Sequence, residues 1–289
     1  ELAATTVAGP VLEAPDLETL RRIPGLFEPG LDFVDRVRHD LPHHVTTNAM
    51  GFRGRELRAD RAPAGMRLLC VGDSYTWGHY VDDEQAFPAA LGRLLLDEGI
   101  DAEVINAGAN GFTILDERLY LEEKGMALRP DIVIVGFTRN DIQDLARERP
   151  WIEGMREHAR LKSLTIVGPA LKALQGTAVF NGMQQLAAWW RVRGSGPSET
   201  AGAAESVSLW QSYQGHLRAV ARLIQERGAR LLLVGWPSAD QIEQTASLSP
   251  QEKMAAIASE EKAEWLDLTA TMMALRRKGV SPTLRPKDG

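Results

Sequence analysis

From residue 67 onward, short apolar runs alternate with longer amphipathic stretches, and this alternation predicts a parallel sheet covered by helices. The runs at 68–71, 103–106, 132–137, 231–235 and 265–268 read as strands, since most are dense in Leu, Ile and Val and too short for buried helices. Between them, residues 87–96, 115–128, 209–227 and 269–278 repeat apolar positions at intervals of three and four, the spacing of helices lying on a sheet. The expected class is therefore α/β, a three-layer α/β/α sandwich.

Two regions depart from the pattern. Residues 1–65 are rich in Pro, Gly and charge, with one extended stretch near 45–52, and predict an N-terminal arm packed on the core. The main domain, 66–289, is interrupted at about 142–208 by apolar and basic helical material and then by a Gly/Ser/Pro/Ala-rich linker at 194–204. This insertion is expected to form an extra helical layer or a lid over a site, because functional loops gather at the C-terminal edge of such sheets. Its amphipathic stretch 166–180 is read as buried, with membrane contact as the alternative.

Composition narrows the function. The 289-residue chain is 44% hydrophobic and 25% charged, as in ordinary globular proteins, and its net charge of -6 argues against a nucleic-acid partner. The single cysteine, Cys70, excludes an internal disulfide and Cys-x-x-Cys metal or redox chemistry. The sequence begins with Glu1 rather than Met and has no run of about 18 apolar residues, so a trimmed, exported, periplasmic or cell-surface protein is expected, a cytoplasmic one being the alternative.

Chemistry concentrates where strands end. The run 68–71 is followed by Gly72-Asp73-Ser74-Tyr75-Thr76-Trp77-Gly78, which puts the Ser74 hydroxyl at the C-terminal tip of a central strand. Thr76 stands where the Gly-x-Ser-x-Gly elbow of α/β-hydrolases needs glycine, so that arrangement is not met. Asp-Ser after a strand also serves as a turn and helix cap. Two further strand ends carry Ile105-Asn106-Ala107-Gly108 and Gly136-Phe137-Thr138-Arg139-Asn140-Asp141. No phosphate-binding glycine loop follows the first strand, which disfavours a nucleotide-binding protein.

These three segments, in this order and approximate spacing, resemble the first motif blocks of the SGNH (GDSL-type) hydrolases. The upstream Asn48-Ala49-Met50-Gly51-Phe52-Arg53-Gly54 is similar to a segment that precedes the nucleophile block in many bacterial members. The resemblance implies a flavodoxin-like strand order 2-1-3-4-5 and a serine esterase without metal or cofactor. Ser74 would be the nucleophile, and its N–H, the Gly108 N–H and the Asn140 amide would be donors to the oxyanion. It further implies a C-terminal Asp and His. Pro286-Lys287-Asp288-Gly289 resembles the start of that block, with Asp288 as the orienting carboxylate and a histidine expected within about three residues of it. His79, five residues past Ser74, is the alternative base. Tyr75, Trp77 and Trp236 are candidates to line an acyl or sugar pocket. The expected substrate is a small or carbohydrate ester. The alternatives are an O-acyltransferase acting on an exported polysaccharide and a non-catalytic carbohydrate-binding protein of this fold.

Overall fold

The computed structural model describes residues 27–35, 41–58, 65–146 and 203–280. A five-stranded sheet is formed by β3 (Met66–Gly72), β4 (Ala102–Gly108), β5 (Ile132–Phe137), β6 (Arg230–Gly235) and β7 (Glu264–Asp267). Its spatial order is β4-β3-β5-β6-β7, and every neighbouring pair is parallel. Counting only these strands, that is 2-1-3-4-5, the order expected. Each strand matches its predicted run to within two residues at either end.

Alternation along the strands explains why both faces are covered. In β3, Leu69 and Val71 point to one face, where they join Ile105, Val133, Val135, Leu231 and Leu233 in the larger core. Leu68 and Cys70 point to the other face and meet Ile134 and Val234. The larger core is closed by α3 (Ile114–Glu123), α5 (Ala203–Glu226) and α7 (Ser249–Glu260), through residues such as Tyr120, Leu121, Tyr213, Leu217, Ile224, Met254 and Ile257. The opposite face is covered by α2 (Phe87–Asp97), whose Phe87, Leu91 and Leu95 fall at four-residue intervals on one side. The result is the three-layer α/β/α sandwich.

Local signals set the helix limits. Pro88 stands in the first turn of α2, and Thr113 and Asp116 form a capping box at the start of α3. Gly228, at φ 74, ends α5. The remaining helical pieces are α1 (Ser74–Trp77), α4 (Asn140–Asp144), α6 (Ala239–Ile242) and α8 (Thr269–Arg277). The predicted helix at 115–128 is α3 followed by a 3-10 turn at Gly125–Leu128.

The N-terminal region contains more order than its composition suggested. An antiparallel hairpin pairs β1 (Asp32–Asp35) with β2 (His43–Thr46), and Met50 and Phe52 just beyond it enter the larger core. Most of the predicted insertion, residues 147–202, lies outside the described residues, as do the 166–180 stretch and most of the 194–204 linker; Ala203 and Ala204 begin α5. No helix among the described residues is long and apolar enough to cross a membrane.

Candidate active site

Three strand-end glycines build the floor of the site. A Cβ added at Gly72, at the end of β3, would lie 2.2 Å from Thr76 Oγ1; one at Gly136 in β5 would lie 2.8 Å from the same atom. One at Gly108, at the end of β4, would lie 2.4 Å from Trp77 N. Thr76 is fully buried against all three strands, so α1 sits directly on the sheet edge with no room for a methyl group. Overpacking of this kind costs about 1–3 kcal/mol. Thr76, which breaks the α/β-hydrolase elbow pattern, is thus the residue that seats α1.

Ser74 is the first residue of α1, half-buried, and neither its Oγ nor its N–H has a hydrogen-bond partner among the described residues. Asp73 caps the helix, its Oδ1 accepting the Tyr75 N–H at 2.9 Å. The capping duty that Asp-Ser was expected to share therefore falls on Asp73, and Ser74 is left uncommitted.

Asp73 Oδ2 connects the nucleophile block to the third block. It accepts the Thr138 hydroxyl at 3.0 Å and the Asn140 amide at 3.4 Å. The Asn140 Nδ2 also reaches Asp144 at 3.1 Å, while its Oδ1 lies 2.7 Å from the Thr138 hydroxyl. Asn140 as a residue is exposed, at the start of α4 just past the end of β5. The 3.4 Å contact is the weaker of its two donations and the easier one for an incoming oxygen to replace.

Gly108 requires a correction. It is buried, and its N–H, expected to face substrate, is donated to Asn106 Oδ1 at 3.0 Å. Its lack of a side chain serves packing under α1. The outward part of the same loop is Asn110, which is exposed, and Gly111, half-buried at φ 83. Trp77 also departs from expectation: it is 5% exposed, its ring stacked on Phe27 with centroids 4.2 Å apart. Its ring is a packing element in the described structure, with little surface to offer a substrate. Tyr75, by contrast, is 47% exposed and lies 6.0 Å from the half-buried Trp236 ring, which also packs on Phe87 at 5.4 Å.

Asp288 lies outside the described residues. The His79 ring stacks on Tyr80 with centroids 3.8 Å apart, and its one hydrogen-bonding neighbour among the described residues is the Asn110 amide, 3.3 Å from Nδ1. Burial lowers its pKa, with Asp35 acting in the opposite sense. Its backbone N–H is donated to the Ser74 carbonyl at 2.9 Å, so His79 supports the turn after α1.

Beneath these groups lies a set of acids that sequence reading missed. Asp73, Asp141 and Glu117 are all at most 3% exposed; Asp141 lies in the field of Asp73 and Glu117, Glu117 in that of Asp73 and Asp116, and Asp73 in that of Asp144. Burial, then mutual repulsion, raises the Asp141 and Glu117 carboxyls well above the usual carboxylate range. Burial raises Asp73 too, but donations from Tyr75, Thr138 and Asn140 oppose the shift. A threonine hydroxyl has one proton, yet Thr138 Oγ1 lies within 3.1 Å of Asp73, Asn140 and Asp141 oxygens. A proton on Asp141 would account for one of these contacts by donation to Thr138, whose own proton then serves one of the other two oxygens. Because the folded state holds protons that the unfolded chain releases above pH 4 to 5, these acids stabilise the fold at low pH, and that contribution is lost as pH rises through the folded pKa. Glu117→Gln is therefore expected to lose less stability than wild type between pH 5 and 8 in urea titrations; equal losses would show that Glu117 is ionised in the fold.

Fold and site together define an α/β ester-hydrolase architecture with a serine at the C-terminal edge of the central strand. The profile of the GDSL-like Lipase/Acylhydrolase family matches residues 70–285, and the chain belongs to that family, whose members are carboxylic ester hydrolases. No curated protein sequence matches the chain. Similar solved structures include TesA, at 20% identity and a TM-score of 0.44, covering 78% of this chain and 87% of that one. The acetyl xylan esterase AlAXEase is 16% identical, with a TM-score of 0.46 and coverage of 74% and 83%. A mutant of Axe2, an acetyl-xylooligosaccharide esterase from Geobacillus Stearmophilus, is 17% identical, with a TM-score of 0.45 and coverage of 79% and 87%.

Proposed function

We propose that the protein is a serine esterase that takes an acyl group onto Ser74 and releases it to water, and that its substrate is a short-acyl, O-acetyl type ester of a carbohydrate or another small alcohol. The observation that carries this reading is the uncommitted Ser74 at the head of α1, half-buried and tied through Asp73 to the amide of the exposed Asn140. As Ser74 Oγ attacks the carbonyl carbon, the C=O electrons move to oxygen, and fixed donors stabilise that charge. The Ser74 N–H and the Asn140 amide are two such donors. We assign the loop's contribution to Gly111 in place of Gly108, on its outward position and positive φ. The Ser74 proton passes to a base, a part we assign to a histidine oriented by Asp288. Collapse of the intermediate expels the alcohol, and water then cleaves the acyl-serine.

The Tyr75 and Trp236 rings support a small or sugar substrate, because aromatic faces at the mouth of a site offer apolar contact to C–H groups without demanding a long acyl chain. The test is chemical. A fluorophosphonate is expected to add once, with the adduct on the peptide carrying Ser74, and Ser74→Ala should take up none. An adduct confined to another serine, or equal labelling of the variant, would overturn the assignment.

A further inference from the structure

We infer that Arg53 is a positioning residue for Ser74: its guanidinium clamps the turn that follows the nucleophile helix and thereby sets where the serine hydroxyl stands. This rests on the esterase reading above and adds to it a residue outside the three strand-end blocks. Arg53 is 4% exposed, unusual for an arginine, and its whole head group is committed. Nη1 donates to the carbonyls of Trp77 at 2.8 Å and Gly78 at 2.7 Å, and Nη2 donates to Val81 at 2.5 Å. Nε donates to Asp83 Oδ1 at 2.7 Å, and the guanidinium carbon lies 5.0 Å from the Trp77 ring centre. One planar cation thus shares the last carbonyl of α1 with the Asn106 amide, 3.2 Å from it, and holds the following turn at Gly78 and Val81.

The sequence is built around this contact on both sides. Asn48 organises the turn that presents Arg53, its Oδ1 accepting the Met50 and Phe52 N–H groups at 2.9 and 3.0 Å and its Nδ2 donating to the Arg55 carbonyl at 2.9 Å. Phe52 anchors that turn in the larger core. Opposite, Gly78 adopts φ 87, and a Cβ there would lie 3.1 Å from Arg53 Nη1 and 2.6 Å from the Ala86 Cβ. Asp83 completes the frame: its Oδ2 accepts the Thr46 N–H at 2.8 Å and hydroxyl at 2.6 Å, fastening the arginine's counter-ion to β2. The link to the nucleophile is short, since the Gly78 and His79 N–H groups both close on the Ser74 carbonyl, at 3.0 and 2.9 Å. Arg53 touches no reacting atom on this account. It acts through the backbone of residues 74–81.

Arg53→Lys and Asp83→Asn test the clamp without emptying the site as alanine would. An ammonium cannot span three carbonyls and a carboxylate as the fork does, and the amide removes the counter-charge. Both variants should unfold cooperatively, with faster amide hydrogen exchange in the peptide spanning 74–81 and unchanged exchange in β5 and β6. In short-chain nitrophenyl ester hydrolysis, Arg53→Lys should lower kcat by about 10- to 100-fold with KM within about twofold, because a misplaced nucleophile slows the chemical step more than binding. Unchanged exchange over 74–81, or a kcat loss no larger than the unfolded fraction, would overturn the clamp. If wild type neither turns over esters nor labels at Ser74, the esterase reading fails by itself, and the exchange measurement alone decides the clamp.

Discussion

Ser74→Ala is expected to lower kcat for a short-chain ester by a factor on the order of 10⁶, the size of effect seen when a catalytic serine is removed from a complete triad. The geometry makes this an interpretable substitution. Ser74 Oγ has no hydrogen-bond partner among the described residues, so removing it leaves no buried group unsatisfied. The N-cap is Asp73, and alanine is the best helix former, so α1 loses neither its cap nor its propensity. The unfolding temperature should shift by no more than about 2 °C, the equivalent of about 0.5 kcal/mol, because no cap, core contact or paired group is lost. Rates are to be compared at saturating substrate with spontaneous hydrolysis subtracted, since the donors that remain can still orient and polarise an ester. A variant that keeps a tenth or more of wild-type kcat while remaining folded would place the nucleophile elsewhere.

Much of the fold was legible because its signals are local. A parallel strand buried on both faces must be a short apolar run, and Ile132–Phe137 could hardly be read otherwise. The helix α2 announces itself through Phe87, Leu91 and Leu95. Elements missed were those whose partners supply most of their stability. The strand Asp32–Asp35 has two carboxylates in four residues and exists by pairing with His43–Thr46. The helix Ser249–Glu260 buries little besides Met254, Ile257 and Ala258 among polar neighbours, with Pro250 in its first turn.

The site divides along the same line. Motif order pointed to Ser74 and Asn140, because a strand end is a position that sequence reveals. It did not show the packing of Gly108 and Trp77, which depends on which way a four-residue helix is rolled on the sheet: Tyr75 faces out while Thr76 and Trp77 face in. One helical turn is too short for periodicity to show this. The buried acids were equally hidden. Asp116 and Glu117 stand in the first turn of α3, where acids ordinarily meet solvent, and both are 1% exposed. Arg53 finds its carbonyl and carboxylate partners 24 to 30 residues further along, beyond any local pattern.

Asn140→Ala should reduce kcat by about 100- to 1000-fold and leave KM within a few-fold, the signature of a donor that acts on charge present mainly in the transition state. The competing account, that Asn140 merely caps α4, makes a different demand on stability, and the geometry separates the two. The residue preceding the helix is Arg139, without a side-chain cap, and the turn is closed instead by Asp141, whose Oδ2 accepts the Thr138 N–H at 2.8 Å. Asn140 is exposed, so its truncation creates no cavity; it removes the weakest of the three donors to Asp73, and urea unfolding should move by no more than about 1 kcal/mol. Asn140→Asp sharpens the test. The carboxylate is nearly isosteric but donates nothing, and it would place a further negative charge beside Asp73 and Asp144, where the developing oxyanion adds its own. Its kcat should therefore fall below that of the alanine variant at neutral pH and recover in part as the pH is lowered and the new carboxylate is protonated. A folded Asn140→Ala enzyme with wild-type kcat, or an aspartate variant that outperforms it at pH 7, would remove Asn140 from the oxyanion site and leave it a link between Thr138 and Asp144.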